Sequence, residues 1–136
     1  MKHQFQGRMS VVAAALCIGL AATVSAQYQG WTIPDTAKTE KSPVKAPADA
    51  AKKGKALFAT NCAKCHGPAG KGDGPDSDHA ADLTDEFRTD LNPEGVLYYK
   101  VWNGHTDDMP AFKSKLTKDD TWNLVEYLKE LRTPAK

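Results

Sequence analysis

The chain has 136 residues, which is room for one domain and excludes a multidomain arrangement. It holds 18 basic and 17 acidic side chains, a formal net charge of +1, and this balance argues against nucleic-acid binding, which needs a basic surplus. Two of its three cysteines stand close together. A disulfide between them would close too small a loop to stabilise a fold much, so the pair needs a chemical explanation.

Residues 1–26 have the features of a cleavable export signal. Lys2 and Arg8 give a basic start, residues 11–24 form a nearly unbroken apolar run, and a cut after Ala26 would follow small residues. An apolar run of this length is too short to cross a bilayer comfortably. We therefore predict cleavage, a periplasmic location and no stable membrane insertion. An uncleaved N-terminal anchor is the alternative.

Residues 27–47 are predicted to form a flexible N-terminal arm. Three prolines interrupt a run of Thr, Ala, Lys and Ser that has no apolar period. Trp31 and Ile33 are the exceptions, and they could hold the segment against the domain that follows. Both interpretations stay open at this point.

A helical pattern begins the predicted domain, residues 48–136. Residues 50–60 are rich in Ala and Lys, with Phe58 facing inward and Gly54 one turn before it. A glycine inside a helix costs about 1 kcal/mol relative to alanine, and close approach of a second helix explains it best. Residues 67–82 are rich in glycine and have the composition of a loop.

Two more helices are predicted farther along the chain. Asn92 is placed as the N-cap of one, with Pro93 at its first helical position. Thr117 and Asp120 have the spacing of a capping box at the start of the last helix. No stretch alternates convincingly between apolar and polar residues, so we predict an all-α domain. A domain this small is short of core, and a buried apolar cofactor would complete it.

The two close cysteines belong to the motif Cys62-Ala63-Lys64-Cys65-His66. A spacing of three puts both sulfurs on one side of a helical turn, which suits two thioether bonds to the vinyl groups of one porphyrin. The His66 imidazole could then reach the iron, and the motif is typical of covalent haem c attachment. A zinc site would need about four ligands, and a redox dithiol would need a βαβ context. The sequence shows neither.

Met109 is the predicted second axial ligand of the iron. It is the sole methionine left once the predicted signal is removed, and Pro110 would stiffen the chain just after it. The alternative is that Met109 only fills a gap in the core. His105 and His79 are rival ligands.

Further residues extend the pattern around the cysteine motif on both sides. They are Gly54, Phe58, Gly67, the segment 70–75, Asn103-Gly104, Met109-Pro110, Trp122, Val125 and Tyr127-Leu128. With the motif, they resemble the small class I cytochromes c of bacterial periplasms over residues 48–131. The resemblance implies a small cytochrome c fold, in which three to five helices wrap around one covalently attached haem c.

The resemblance also implies two specific contacts. The first and last helices would cross where Gly54 and Phe58 meet Tyr127 and Leu128. The carbonyl of Pro75 would accept a hydrogen bond from the ring nitrogen of His66 that faces away from the iron, and so orient the imidazole. Residues 76–91 depart from the apolar spacing of the family.

An iron with both axial positions filled by protein has no place for a substrate, which leaves one-electron transfer. We therefore predict a monomeric electron carrier, not an enzyme, that cycles between Fe(III) and Fe(II) and meets redox protein partners. One alternative is a cytochrome subunit of a periplasmic dehydrogenase complex. Another is a haem-based sensor with an exchangeable sixth ligand.

The charges are unevenly distributed along the chain. Residues 73–94 hold eight acids and one base, Arg88. Five lysines flank the haem motif and the methionine segment instead: Lys64, Lys71, Lys113, Lys115 and Lys118. They could steer the protein towards an acidic redox partner, or they could be ordinary solvated lysines.

Overall fold

The structure, a computed structural model, describes residues 30–85, 91–106 and 108–132. The predicted export signal lies outside the described residues. The described part forms five helices and no strand, which confirms the all-α fold class. The helices are α1 (Asp35–Thr39), α2 (Pro47–Asn61), α3 (Ala63–His66), α4 (Glu94–Asn103) and α5 (Lys118–Leu131). No helix in the described part combines the length and the apolar character needed to cross a bilayer.

The crossing of α2 and α5 forms the frame of the domain. Gly54 faces α5 so closely that a Cβ there would overlap the carbonyl oxygen of Asn123 and lie 2.9 Å from the Cβ of Tyr127. One turn later, the rings of Phe58 and Tyr127 meet edge to face with their centroids 5.4 Å apart. The predicted crossing of the first and last predicted helices is therefore confirmed. Leu124 on α5 is completely buried beneath it.

The start of α5 confirms the predicted capping box. The Thr117 hydroxyl accepts a hydrogen bond from the Asp120 N–H at 3.1 Å, and the Asp120 carboxylate accepts one from the Thr117 N–H at 3.1 Å. The Thr117 hydroxyl also donates to this carboxylate at 2.6 Å. Two N–H groups that the helix leaves without partners are thereby satisfied.

The start of α4 differs from the prediction by one residue. Pro93 is the N-cap, with extended backbone angles, and the helix begins at Glu94. Asn92 does not cap α4. Its side-chain oxygen accepts a hydrogen bond from Lys100 Nζ at 2.8 Å instead. The helix ends as predicted at Asn103, followed by Gly104 with a positive φ of 66°.

The segment before α2 packs on the domain, unlike the flexible arm that its prolines predicted. The described residues from Trp31 onwards form one compact unit, and α1 contacts α4. The solvent-exposed fractions of Ile33 and Ala37 are only 8% and 3%. This packing agrees with the alternative in which Trp31 and Ile33 hold the segment in place. We refer to residues 31–44 as the N-terminal strap.

The carboxylate of Glu94 ties the strap to α4 and α5. It accepts hydrogen bonds from the Ser42 N–H at 3.1 Å and from Lys129 Nζ at 3.1 Å. Lys129 also donates to Glu126, which is 4% exposed, at 2.9 Å. Burial alone would raise the pKa of Glu94, but the hydrogen bonds from Lys129 and Ser42 outweigh it and hold this pKa below its usual range. The strap is therefore attached by charge as well as by apolar contacts.

Replacing Gly54 with alanine should destabilise the domain despite the better helix propensity of alanine. The added methyl group would overlap Asn123, and forcing α5 away should lower the free energy of unfolding by about 1–3 kcal/mol. Chemical denaturation would measure this loss. Lys55→Ala is the control, because Lys55 is exposed on the same helix and its loss should change the free energy by less than about 0.5 kcal/mol. Equal stability of Gly54→Ala and wild type would contradict the close crossing.

The capping box should make the stability of the domain depend on pH. The hydrogen bonds from the Thr117 side chain and backbone lower the pKa of Asp120. A lowered folded-state pKa means that the stabilisation is present above the unfolded pKa and is lost as the pH falls through the folded one. Asp120→Ala should therefore cost about 1 kcal/mol near neutral pH. This difference in the free energy of unfolding should shrink as the pH falls from about 5 to about 2. Urea unfolding of both proteins at several pH values would measure it, and a difference that does not change with pH would contradict the prediction.

Candidate functional site

The cysteine motif forms a tight turn at the end of α2. Cys62 lies between α2 and α3, and its N–H donates to the Phe58 carbonyl at 2.8 Å. Its own carbonyl accepts from the N–H groups of Cys65 at 3.1 Å and His66 at 2.9 Å. No disulfide joins the two cysteines, and both are half-buried. Because the Phe58 ring is buried against Tyr127 of α5, the turn begins from a fixed point of the core.

The environment of Cys62 disfavours a redox dithiol. Burial, with a smaller contribution from Cys65, raises the pKa of the Cys62 thiol to about 12. Thiol–disulfide enzymes depend on a cysteine whose pKa is lowered, because the thiolate is the nucleophile. No group of three or more His, Cys, Asp and Glu side chains in the described part of the chain could hold a metal ion. The zinc alternative therefore gains no support either.

The ring of His66 is oriented by a backbone carbonyl. Its Nδ1 lies 3.0 Å from the carbonyl oxygen of Ala81, and a hydrogen bond to a carbonyl requires that Nδ1 carries the proton. The Nε2 lone pair is then left for a metal. The resemblance implied that Pro75 would be the acceptor; the structure corrects that assignment to Ala81, while the orienting contact itself is present.

The path of the loop after α3 explains why Ala81 is the acceptor. Gly72 donates its N–H to the His66 carbonyl at 2.8 Å, and it has a positive φ of 77°. The carbonyl of Ala80 passes so close to Gly72 that a Cβ there would overlap it. This approach brings Ala81 beside the imidazole. The residues flanking Pro75 bond to α3 instead, as the Asp76 N–H donates to the Lys64 carbonyl at 3.0 Å.

Met109 lies in a turn between α4 and α5. His105 and Met109 form an isolated antiparallel bridge, in which the His105 N–H donates to the Met109 carbonyl at 2.7 Å and the Met109 N–H donates back at 3.2 Å. The chain rejoins α4 through the Phe112 N–H, which donates to the Val101 carbonyl at 3.2 Å. The half-buried Met109 side chain packs against the main core.

The two rival histidines have different surroundings. The His105 ring stacks on Trp31 with centroids 4.5 Å apart. His79 is exposed, and its Nε2 lies 3.1 Å from an Asp78 carboxylate oxygen. The third candidate for the second axial position, Met109, packs against the core. Its ligation of iron stays a prediction.

A group of half-buried apolar side chains packs against the core, and two of its members, Cys62 and Ala63, belong to the motif. The others are Val44, Leu57, Leu83, Tyr98, Met109 and Leu131. Leu83 is held there because its N–H donates to the Gly70 carbonyl at 2.7 Å. The sequence prediction missed Leu83, although its position between acidic residues marks it as an apolar exception. Two cysteines that no disulfide joins, an oriented imidazole and these apolar side chains together fit a covalently attached haem.

The predicted charge pattern is only partly described by the structure. The five lysines that flank the motif and the methionine segment are all exposed. Lys64 pairs with Asp76 at 3.7 Å. Glu86, Arg88 and Asp90 of the acidic stretch lie outside the described residues, and Glu94 belongs to the strap network rather than to an open acidic surface. The lysine surface therefore stays a hypothesis.

Comparison with known proteins extends these findings. The profile of the Cytochrome c family matches residues 51–132. The chain is 35% identical over 88 residues to the FixP subunit of the cbb3-type cytochrome c oxidase of Azorhizobium caulinodans. That match covers 63% of this chain and 29% of the relative, so the chain spans about three tenths of that protein.

Two solved structures share the fold. A chain of the reducing HAO-like protein complex of Kuenenia stuttgartiensis superposes with a TM-score of 0.60 at 26% identity, over 67% of this chain and 47% of that one. Cytochrome cL of Methylophaga aminisulfidivorans gives a TM-score of 0.53 at 23% identity, over 63% and 59%. At that identity the second match supports the fold alone.

Proposed function

Since the chain belongs to the cytochrome c family, we propose that it is a periplasmic electron carrier whose haem iron is ligated by His66 and Met109. Membership in the family means a covalently attached haem c and haem-based electron transfer. Cys62 and Cys65 fit the attachment motif. When bound, the haem supplies a one-electron Fe(III)/Fe(II) couple. The finer assignments rest on the residues around it.

One observation carries the proposal, namely the hydrogen bond between His66 Nδ1 and the Ala81 carbonyl. This contact favours the tautomer with the proton on Nδ1, orients the ring and leaves Nε2 available as a ligand. The turn that begins at Cys62 holds the imidazole beside the two thioether positions. A ligand that is held in this way needs little rearrangement when the iron changes its charge.

Met109 is proposed for the opposite face because its neutral sulfur suits an electron carrier. Methionine ligation raises the reduction potential relative to histidine ligation. Two protein ligands leave no coordination position for a substrate, which favours transfer over catalysis. A periplasmic location is supported by the predicted signal at residues 1–26 and by the family, whose members are usually extracytoplasmic.

A Met109→Ala variant tests the ligation directly. The ferric holoprotein should show the weak long-wavelength absorption of methionine sulfur bound to ferric haem, and the variant should lose it completely and have a lower reduction potential. His79→Ala is the matched control, because His79 is an exposed rival ligand, and its spectrum should match wild type. Persistence of the absorption in Met109→Ala would show that another residue is the ligand.

The exposed lysines are proposed to attract negatively charged redox partners. Ferricyanide, an anionic oxidant, is a simple probe of this field. Lys71→Glu/Lys113→Glu should slow the oxidation of the reduced protein several-fold at low ionic strength, and the difference should fade as salt screens it. Lys52→Glu/Lys55→Glu, with the same change of charge on α2, should have a smaller effect. Equal slowing in both double variants would show that the rate depends on net charge and not on the position of these lysines, which would contradict the proposal.

A second candidate function is that of an electron-transfer subunit in a larger redox assembly. The observation in its favour is that FixP is named as an oxidase subunit and the Kuenenia chain belongs to a protein complex. The packed strap adds surface next to the methionine turn that could contact such a partner. Native purification of the holoprotein separates the candidates, because a subunit should elute with its partners in fixed proportion and a free carrier should elute alone.

A further inference from the structure

The N-terminal strap reaches the methionine turn through an aromatic contact. The Trp31 ring stacks on the His105 imidazole with centroids 4.5 Å apart and planes 29° apart. Lys100 Nζ lies 5.0 Å from the centroid of the Trp31 ring, a distance at which a cation interacts favourably with an aromatic face. Trp31 therefore contacts both the turn and the helix that precedes it.

Backbone pairing couples the position of His105 to that of Met109. Each donates its N–H to the carbonyl of the other. Between them Thr106 has a positive φ of 50°, which is unusual for a β-branched residue and is kept only where the surroundings enforce it. A side-chain contact that restrains His105 consequently restrains the position of Met109.

The strap is anchored independently of the Trp31 side chain. Ile33 and Ala37 are buried, and the Ser42 N–H is bonded to Glu94. Trp31 precedes these anchors, so loss of its ring should leave the strap attached. The stacking of Trp31 on His105 is therefore not needed to hold the strap on the domain.

We propose that Trp31 is a positioning residue that, through His105, holds the turn carrying Met109 in the place required for ligation. The inference rests on the proposed ligation by Met109 and extends it to the strap. After Met109, the Phe112 N–H ties the turn to α4. Before Met109, the stacking of Trp31 on His105 restrains the turn. Loss of the ring should therefore let the sulfur leave the iron more often without unfolding the domain.

The test compares Trp31→Ala with Trp31→Phe and Ile33→Val in the holoprotein made from the full chain. Trp31→Phe keeps an aromatic ring to stack on His105. Ile33→Val removes one buried methylene from the strap and leaves Trp31 intact, so it controls for a general loss of strap packing. Two readouts are needed, of which one does not depend on the iron.

The first readout is hydrogen exchange at the amides of His105 and Met109. Trp31→Ala should speed exchange at both by about three- to tenfold, the range expected for loss of one aromatic contact. The second is the concentration of added imidazole that displaces the sulfur from ferric iron, followed by the long-wavelength absorption. It should fall by a similar factor in Trp31→Ala. Trp31→Phe and Ile33→Val should stay close to wild type in both.

The outcomes separate this inference from the proposed function. If Trp31→Ala and Ile33→Val lower thermal stability alike and neither alters exchange or displacement, Trp31 is only a packing residue and the inference is overturned. If wild type lacks the methionine absorption altogether, the proposed ligation fails. The inference about positioning a ligand then fails with it, and the exchange data still decide whether Trp31 restrains the turn.

Discussion

The close approach of α2 and α5 is the constraint on which the rest of the structure depends. Gly54 lets the two backbones meet, and Phe58 fills the next turn against Tyr127. The N–H of Cys62 is bonded to the carbonyl of Phe58, so the attachment motif starts at a point that the crossing determines. A helix pair that met one turn farther along would carry the motif to a different place on the core.

The cysteine motif and the methionine turn are held in place by different parts of the fold. Cys62, Cys65 and His66 lie on a turn that continues a core helix, so the attachment motif and the proposed first axial ligand share one support. Met109 lies on a turn whose far end is tied to α4 by the Phe112 N–H. A covalent bond tolerates imprecise support, whereas a neutral sulfur binds iron weakly and depends on the geometry of its turn. Under the proposed ligation, this difference is the reason why the turn of Met109 would benefit from an outside contact such as that of Trp31.

Sequence patterns predicted the features that depend on residue type. The motif, the crossing at Gly54 and the capping box of Thr117 and Asp120 all require particular side chains, and these are visible in one sequence. The packing of the strap was less visible, because α1 has only five residues, too few for an apolar period to emerge. Asn92 was predicted as a cap from propensity, but the bond from Lys100, eight residues away, engages its side chain instead.

The partner of the His66 ring could not be identified from residue type, since it is a main-chain oxygen and every residue has one. Ala81 is exposed, and its methyl group takes no part in the contact. Substitutions at position 81 should accordingly be tolerated during evolution, whereas Gly72 determines whether any carbonyl arrives there. The residue type that allows this contact is therefore found at position 72, nine residues before the carbonyl that accepts the hydrogen bond. In related sequences, the invariant position should be the glycine.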